Sequence, residues 1–153
     1  MQTLILLLGI ALFAVAAYGD VRSHRIPNVL VAAVAALGLA RLIVIGDLSN
    51  ALYTISASVV VLVLTFLLFW RGFVGGGDAK LITATALLVG YHDLFHFLVL
   101  MSICGVLVTL AMLVTHRSSA KQPQPKARLA VPYGVAIAGG GIVTLLFQTS
   151  FIG

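Results

Sequence analysis

Long apolar runs separated by short polar joints set the rhythm of this chain, and each run reads as a helix. The first extends from Thr3 to Gly19 and meets a polar break, Asp20-Val21-Arg22-Ser23-His24-Arg25-Ile26-Pro27-Asn28. Pro27 suits the first turn of a new helix, where a missing N–H leaves no bond unmade. Helix two is predicted from about Asn28 to Ile45, closed by Gly46-Asp47-Leu48-Ser49-Asn50, and helix three from Ala51 to Trp70. After Gly75-Gly76-Gly77-Asp78 a shorter run predicts helix four over Ala79 to Tyr91, and helix five follows from Leu94 to Thr115. A loop rich in serine, proline and basic residues, His116 to Arg128, precedes helix six, which begins near Val131-Pro132 and runs to the end.

Composition says what solvent those helices face. The chain has 153 residues, of which 61% are hydrophobic and 8% charged, and its mean hydropathy is +1.18. A soluble domain carries roughly a quarter charged residues. This chain cannot cover a water-facing surface, so the expected fold is an all-α polytopic membrane protein with six transmembrane helices. One domain over residues 1–153 accounts for every run. Ala14-Val15-Ala16 resembles a signal-peptidase site, but no Lys or Arg precedes the run, so a retained first helix is expected. The single Cys104 excludes a disulfide framework and a four-cysteine zinc site. Neither a metal nor another cofactor is expected.

The net charge of +5 points to nucleic acid only until the basic residues are placed. Arg22, Arg25, Arg71, Lys80, Arg117, Lys121, Lys126 and Arg128 all fall beside the joints after helices one, three and five; Arg41 alone lies near the other side. The positive-inside rule makes the crowded side cytoplasmic and puts both termini outside. It also tests helix four, which is only about 20 Å long against a hydrocarbon core of roughly 30 Å. Were helix four a re-entrant dip, the basic loop 116–128 would move outside. A spanning helix four is therefore expected, with Asp78 drawn toward the hydrocarbon edge.

Only four residues are acidic: Asp20, Asp47, Asp78 and Asp93. The topology sets Asp20 and Asp78 on the cytoplasmic edge and the other two opposite. Two carboxylates held close at such a boundary cannot both ionise, so one can accept a proton from water while the other donates one. Gly75, Gly76 and Gly77, without side chains, would let a substrate strand approach the backbone. The competing reading makes Asp20 and Asp78 solvated loop residues at helix ends.

At these residues the chain resembles a known family. Gly75-Gly76-Gly77-Asp78 is similar to the GxGD motif of intramembrane aspartyl proteases. Gly75-Gly76-Gly77-Asp78-Ala79-Lys80-Leu81, with Asp20 ahead of Ile26-Pro27-Asn28, resembles the type IV prepilin peptidases, and Val131-Pro132-Tyr133-Gly134 resembles the start of that family's last core helix. The resemblance implies an aspartyl endopeptidase of the bacterial inner membrane with Asp20 and Asp78 as catalytic pair. Its partners would be the bilayer and a prepilin or pseudopilin, cut at the cytoplasmic face just before the substrate's hydrophobic helix. The break after Asp20 is too short for the cysteine-bearing cytoplasmic insertion of larger members. That implies the compact Flp, or tight-adherence, type without methyltransferase activity.

Other residues allow rival readings. His92-Asp93-Leu94-Phe95-His96 has the H-x-x-x-H spacing of a zincin, with Asp in place of Glu, which would make a metal-dependent membrane protease or transporter. A non-enzymatic pilus-assembly subunit is the third reading. His24 could face Asp20 but reads more simply as a loop histidine. Lys80 reads as a headgroup-seeking lysine. Ala136-x-x-x-Gly140 reads as a close helix contact.

Overall fold

A computed structural model describes residues 1–23, 26–118 and 133–152 of the chain. Six helices occupy them: α1 (Gln2–Ser23), α2 (Asn28–Ile45), α3 (Leu48–Trp70), α4 (Gly76–Val89), α5 (Leu94–Ser118) and α6 (Tyr133–Ile152). Among the described residues there is no strand. All the helices except α4 are long and apolar enough to cross a membrane. His24, most of the basic loop and Val131-Pro132 lie outside the described residues.

Several boundaries differ from expectation by a few residues, and two of them concern the acidic residues. Helix α1 continues past Gly19 to Ser23, so Asp20 belongs to its last helical turn and not to a polar joint. Nothing in Asp20-Val21-Arg22 forbids helix, and the turn persists because Asp20 is directed into the bundle. Helix α4 begins at Gly76, with Gly75 as its N-cap, so two of the three glycines are helical. Helix α3 starts at Leu48, three residues before the expected Ala51, because Asp47 caps it by accepting from the Ser49 amide at 2.9 Å. Gly46 ends α2 in the left-handed region at φ 69°, where a side chain would be strained.

Polarity runs inside out. The buried positions of α3 are Thr54, Ser58, Val61 and Thr65, while Leu62, Leu64, Phe66 and Phe69 lie on its exposed side. In water that pattern would be reversed. In hydrocarbon the hydroxyls must find partners within the protein. Ser58 and Thr65 do so by donating to the carbonyls of Thr54 and Val61, each at 2.8 Å.

Helix α4 is the centre, packed against α2, α3 and α6 and touching α5. Leu81, Thr85 and Leu88 are wholly buried on it. At 14 residues it rises only about 21 Å, so its C-terminal carbonyls end within the bundle, short of the far surface. Backbone carbonyls in such a place need donors. Arg41 from α2 donates through Nη1 to Leu88 and, at 2.6 Å, to Val89; Gln148 from α6 donates to Val89 at 2.8 Å. Close approach depends on small residues. A Cβ on Gly38 would lie 2.9 Å from the Leu88 amide nitrogen, and one on Gly140 would lie 2.7 Å from the Met101 backbone. The small-residue contact expected of α6 is thus with α5.

Candidate active site

Two carboxyl groups from different helices converge on the start of α6. Asp20 is buried, with 5% of its surface exposed, and the Val135 amide donates to its Oδ2 at 3.2 Å. That amide is among the first of α6, which have no acceptor inside their own helix. Gly134 leaves the room. A Cβ there would lie 2.7 Å from both Cγ and Oδ2 of Asp20.

Asp78 arrives from the other side. It is the third residue of α4, the position from which an acidic side chain turns back to the N-cap amide. The Gly75 N–H is bonded to its carboxylate. A Cβ on Gly75 would lie 2.7 Å from Asp78 Oδ2, so glycine at the cap lets the carboxylate fold back. The residue is half-buried and stands ahead of the apolar stretch of α4, outside the five long apolar helices. Asp78 lies within electrostatic reach of Asp20.

An apolar cavity of about 430 Å³ opens beside Asp78 between α4, α5 and α6. Ile82, Gly105, Thr109, Tyr133 and Ala136 line it. A carboxyl group at the side of an apolar trough can meet a peptide bond whose flanking residues are themselves apolar.

The upstream Ile26-Pro27-Asn28 stretch meets the glycine-aspartate stretch at this end. A Cβ on Gly77 would touch Ile26 at 3.5 Å, and Lys80 Nζ donates to Asn28 Oδ1 at 3.3 Å. Lys80 thus bridges α4 to α2 from an exposed position, where a purely headgroup-seeking side chain was expected. The glycines differ more from expectation. Gly76 and Gly77 are in the first helical turn and offer no extended edge for a strand; a Cβ on Gly76 would meet the Phe69 ring at 3.2 Å. Their evident work is to bring α4 against α3 and α2, although first-turn amides still point outward as donors.

The two histidines do not share a helical face. His92 precedes α5, in the turn that begins at Tyr91, and its ring lies 3.9 Å from the Tyr91 ring. His96 is in α5, with Nδ1 3.7 Å from Asp93 Oδ1. The zincin geometry needs both imidazoles on one helix. Among the described residues no group of three potential metal ligands forms.

Sequence reasoning singled out Asp20, Asp78 and the glycines. It missed the Val135 amide and the steric role of Gly134, though Gly134 lay within the resemblance. It also missed Arg41 and Gln148 at the far end of α4.

Residues 7–110 match a family model described as the type IV leader peptidase family. That span holds Asp20, Asp78 and the whole of α4, and it stops short of α6. No curated protein and no solved structure matches the chain.

Proposed function

The chain belongs to the type IV leader peptidase family, a family of proteases, and from that premise we propose that Asp20 and Asp78 are its catalytic pair. The observation that carries this is their convergence: α1 and α4 bring two carboxyl groups, with Asp78 in reach of the Asp20 charge, to the first turn of α6.

The chemistry follows from their unequal protonation. In the reactive state Asp20 is ionised and Asp78 holds the proton that the pair shares. The Asp20 carboxylate takes a proton from a water molecule as its oxygen attacks the scissile carbonyl. The Asp78 carboxyl gives its proton to the developing oxyanion, making a neutral gem-diol. Transfer of a proton from Asp20 to the departing nitrogen, and return of one to Asp78 as the carbonyl re-forms, breaks the C–N bond and restores the starting state. Each carboxyl serves once as acid and once as base, so no metal is required.

The substrate is a prepilin or pseudopilin whose basic leader stays in the cytoplasm while its hydrophobic helix remains in the bilayer. The apolar cavity beside Asp78 accepts the first residues of that helix. First-turn amides of Gly76 and Gly77 hold the leader backbone nearby. The setting is the bacterial inner membrane, crossed six times with both termini outside, and α4 makes the shortest crossing. Its cytoplasmic end lies at the basic edge that includes Arg22 and Arg71; its outer end is closed by Arg41 and Gln148. One peptidase domain, without the methyltransferase insertion, makes up the chain.

The test is Asp20→Asn and Asp78→Asn, made one at a time and co-expressed with a prepilin. Cleavage should cease in each while membrane abundance is unchanged. Full processing by either variant would sink the assignment.

A further inference from the structure

At the end of the bundle away from Asp20 and Asp78, a cavity of about 720 Å³ opens between α5 and α6 and reaches inward to Arg41. Its outer wall is apolar and lipid-facing: Phe95, Val99 and Phe147 are all exposed. Hydrocarbon alone would satisfy that wall. The inner wall asks for more, because it carries Arg41, Asp93 and Gln148.

Each of these three has binding capacity left over. Arg41 gives Nη1 to the carbonyls of Leu88 and Val89, and no acceptor among the described residues takes its other N–H groups. Gln148 donates to Val89 and, at 2.6 Å, to Asp93 Oδ2. Its own amide oxygen is the one buried side-chain acceptor that lacks a donor among the described residues. Asp93 keeps 38% of its side chain exposed, with His96 Nδ1 3.7 Å from its second oxygen and the Arg41 charge within electrostatic reach. One cavity thus presents a cation, an anion and an unsatisfied carbonyl at its deep end, and hydrocarbon at its mouth.

A molecule matching all of this carries an anion, a cation with N–H groups to give, and an apolar tail. We infer that the cavity holds one phospholipid with a phosphoethanolamine headgroup. Its phosphate pairs with Arg41, and its ammonium donates to Asp93 and, after a small turn of the amide, to Gln148. An acyl chain lies over Phe95, Val99 and Phe147. A phosphoglycerol headgroup has no ammonium to set beside Asp93. A phosphocholine headgroup has no N–H to donate. Buried charges and amides at membrane depth are stable only when their bonds are complete, so the lipid serves as part of the outer wall. The site is independent of the peptidase chemistry at the other end.

Native mass spectrometry of the full chain in detergent tests this, with equal amounts of phosphatidylethanolamine, phosphatidylcholine and phosphatidylglycerol of matched acyl chains. The ethanolamine lipid should be retained about tenfold over either competitor, the low end of what one hydrogen bond to a charged group contributes. Val99→Trp fills the mouth of the cavity without touching the polar wall, and should lose the bound lipid. Asp93→Asn removes the anion, and should erase the preference for ethanolamine over glycerol. An unfolding temperature in detergent checks that each variant is folded. Equal retention of the three lipids, preference for another headgroup, or an ethanolamine preference that survives in either folded variant would overturn the inference.

Discussion

The two ends of α4 handle charge in opposite ways. At its N-terminus two carboxyl groups of like sign face each other, and glycines at 75 and 134 clear the space around them. At its C-terminus a guanidinium and a carboxamide from neighbouring helices satisfy backbone carbonyls, and the nearby carboxylate of Asp93 accepts from Gln148. The first end holds two carboxyl groups within electrostatic reach, the arrangement proposed above to move protons. The second end completes hydrogen bonds that lipid could not supply. One short helix is thus tied to its neighbours at its C-terminal end and carries the carboxyl pair at its N-terminal end.

The largest effect should come from breaking the pair itself. Asp20→Asn or Asp78→Asn is expected to lower the rate of prepilin cleavage by about 10³-fold or more, since general acid–base groups contribute on the order of 10²–10⁴ each. The unfolding midpoint in detergent should move little, which separates chemistry from folding.

Gly134→Ala comes next. The added methyl would sit 2.7 Å from the Asp20 carboxylate and must displace it from the Val135 amide. A shift of that kind, roughly 1 Å, is expected to reduce kcat about a hundredfold. Ala at a helix start is itself benign, so a fully active, normally folded Gly134→Ala protein would mean that Asp20 is not held where the reaction needs it.

Arg41→Met probes the other end. Removing the donor leaves the Leu88 and Val89 carbonyls poorly satisfied inside the bundle, at a cost of roughly 2 kcal/mol. Reversible unfolding in mixed micelles should register that loss. The kcat of the folded fraction should stay within about twofold of the parent, because Arg41 stands at the opposite end of α4. A variant that kept its stability and lost its activity would reverse the roles assigned to the two ends.

The smallest effect is on the pH profile. Two carboxyl groups that must hold one proton between them give a bell-shaped dependence of kcat/KM on pH in the parent protein. A profile that stays flat across the carboxylate range would show that no such pair acts.

Much of the fold was legible before any coordinates. Apolar runs located all six helices, and the start of α2 at Asn28 and the end of α3 at Trp70 stand as read. Boundaries slipped where polar residues turned inward. Asp20 looked like part of a solvent-facing joint because sequence polarity does not say which way a side chain points. Gly76 and Gly77 looked like open backbone because glycine disfavours helix locally, yet close packing on Phe69 and Ile26 outweighs that preference. His92 and His96 had suggestive spacing, but helical spacing has meaning only inside a helix, and α5 begins at Leu94.

For this chain, sequence alone determined the helical architecture, the preference for hydrocarbon and the two carboxylates most worth watching. Those follow from local quantities: runs long enough to match a bilayer, and the rarity of charge within them. Only tertiary structure decided that Asp20 rests on the first turn of α6, and that Gly134 makes way for it. It also decided that Arg41 and Gln148 close the far end of α4. Each of these pairs groups far apart in the chain, 115 positions in the case of Asp20 and Val135. What joins them is the need of buried polar groups for partners, and packing alone settles which partners are within reach.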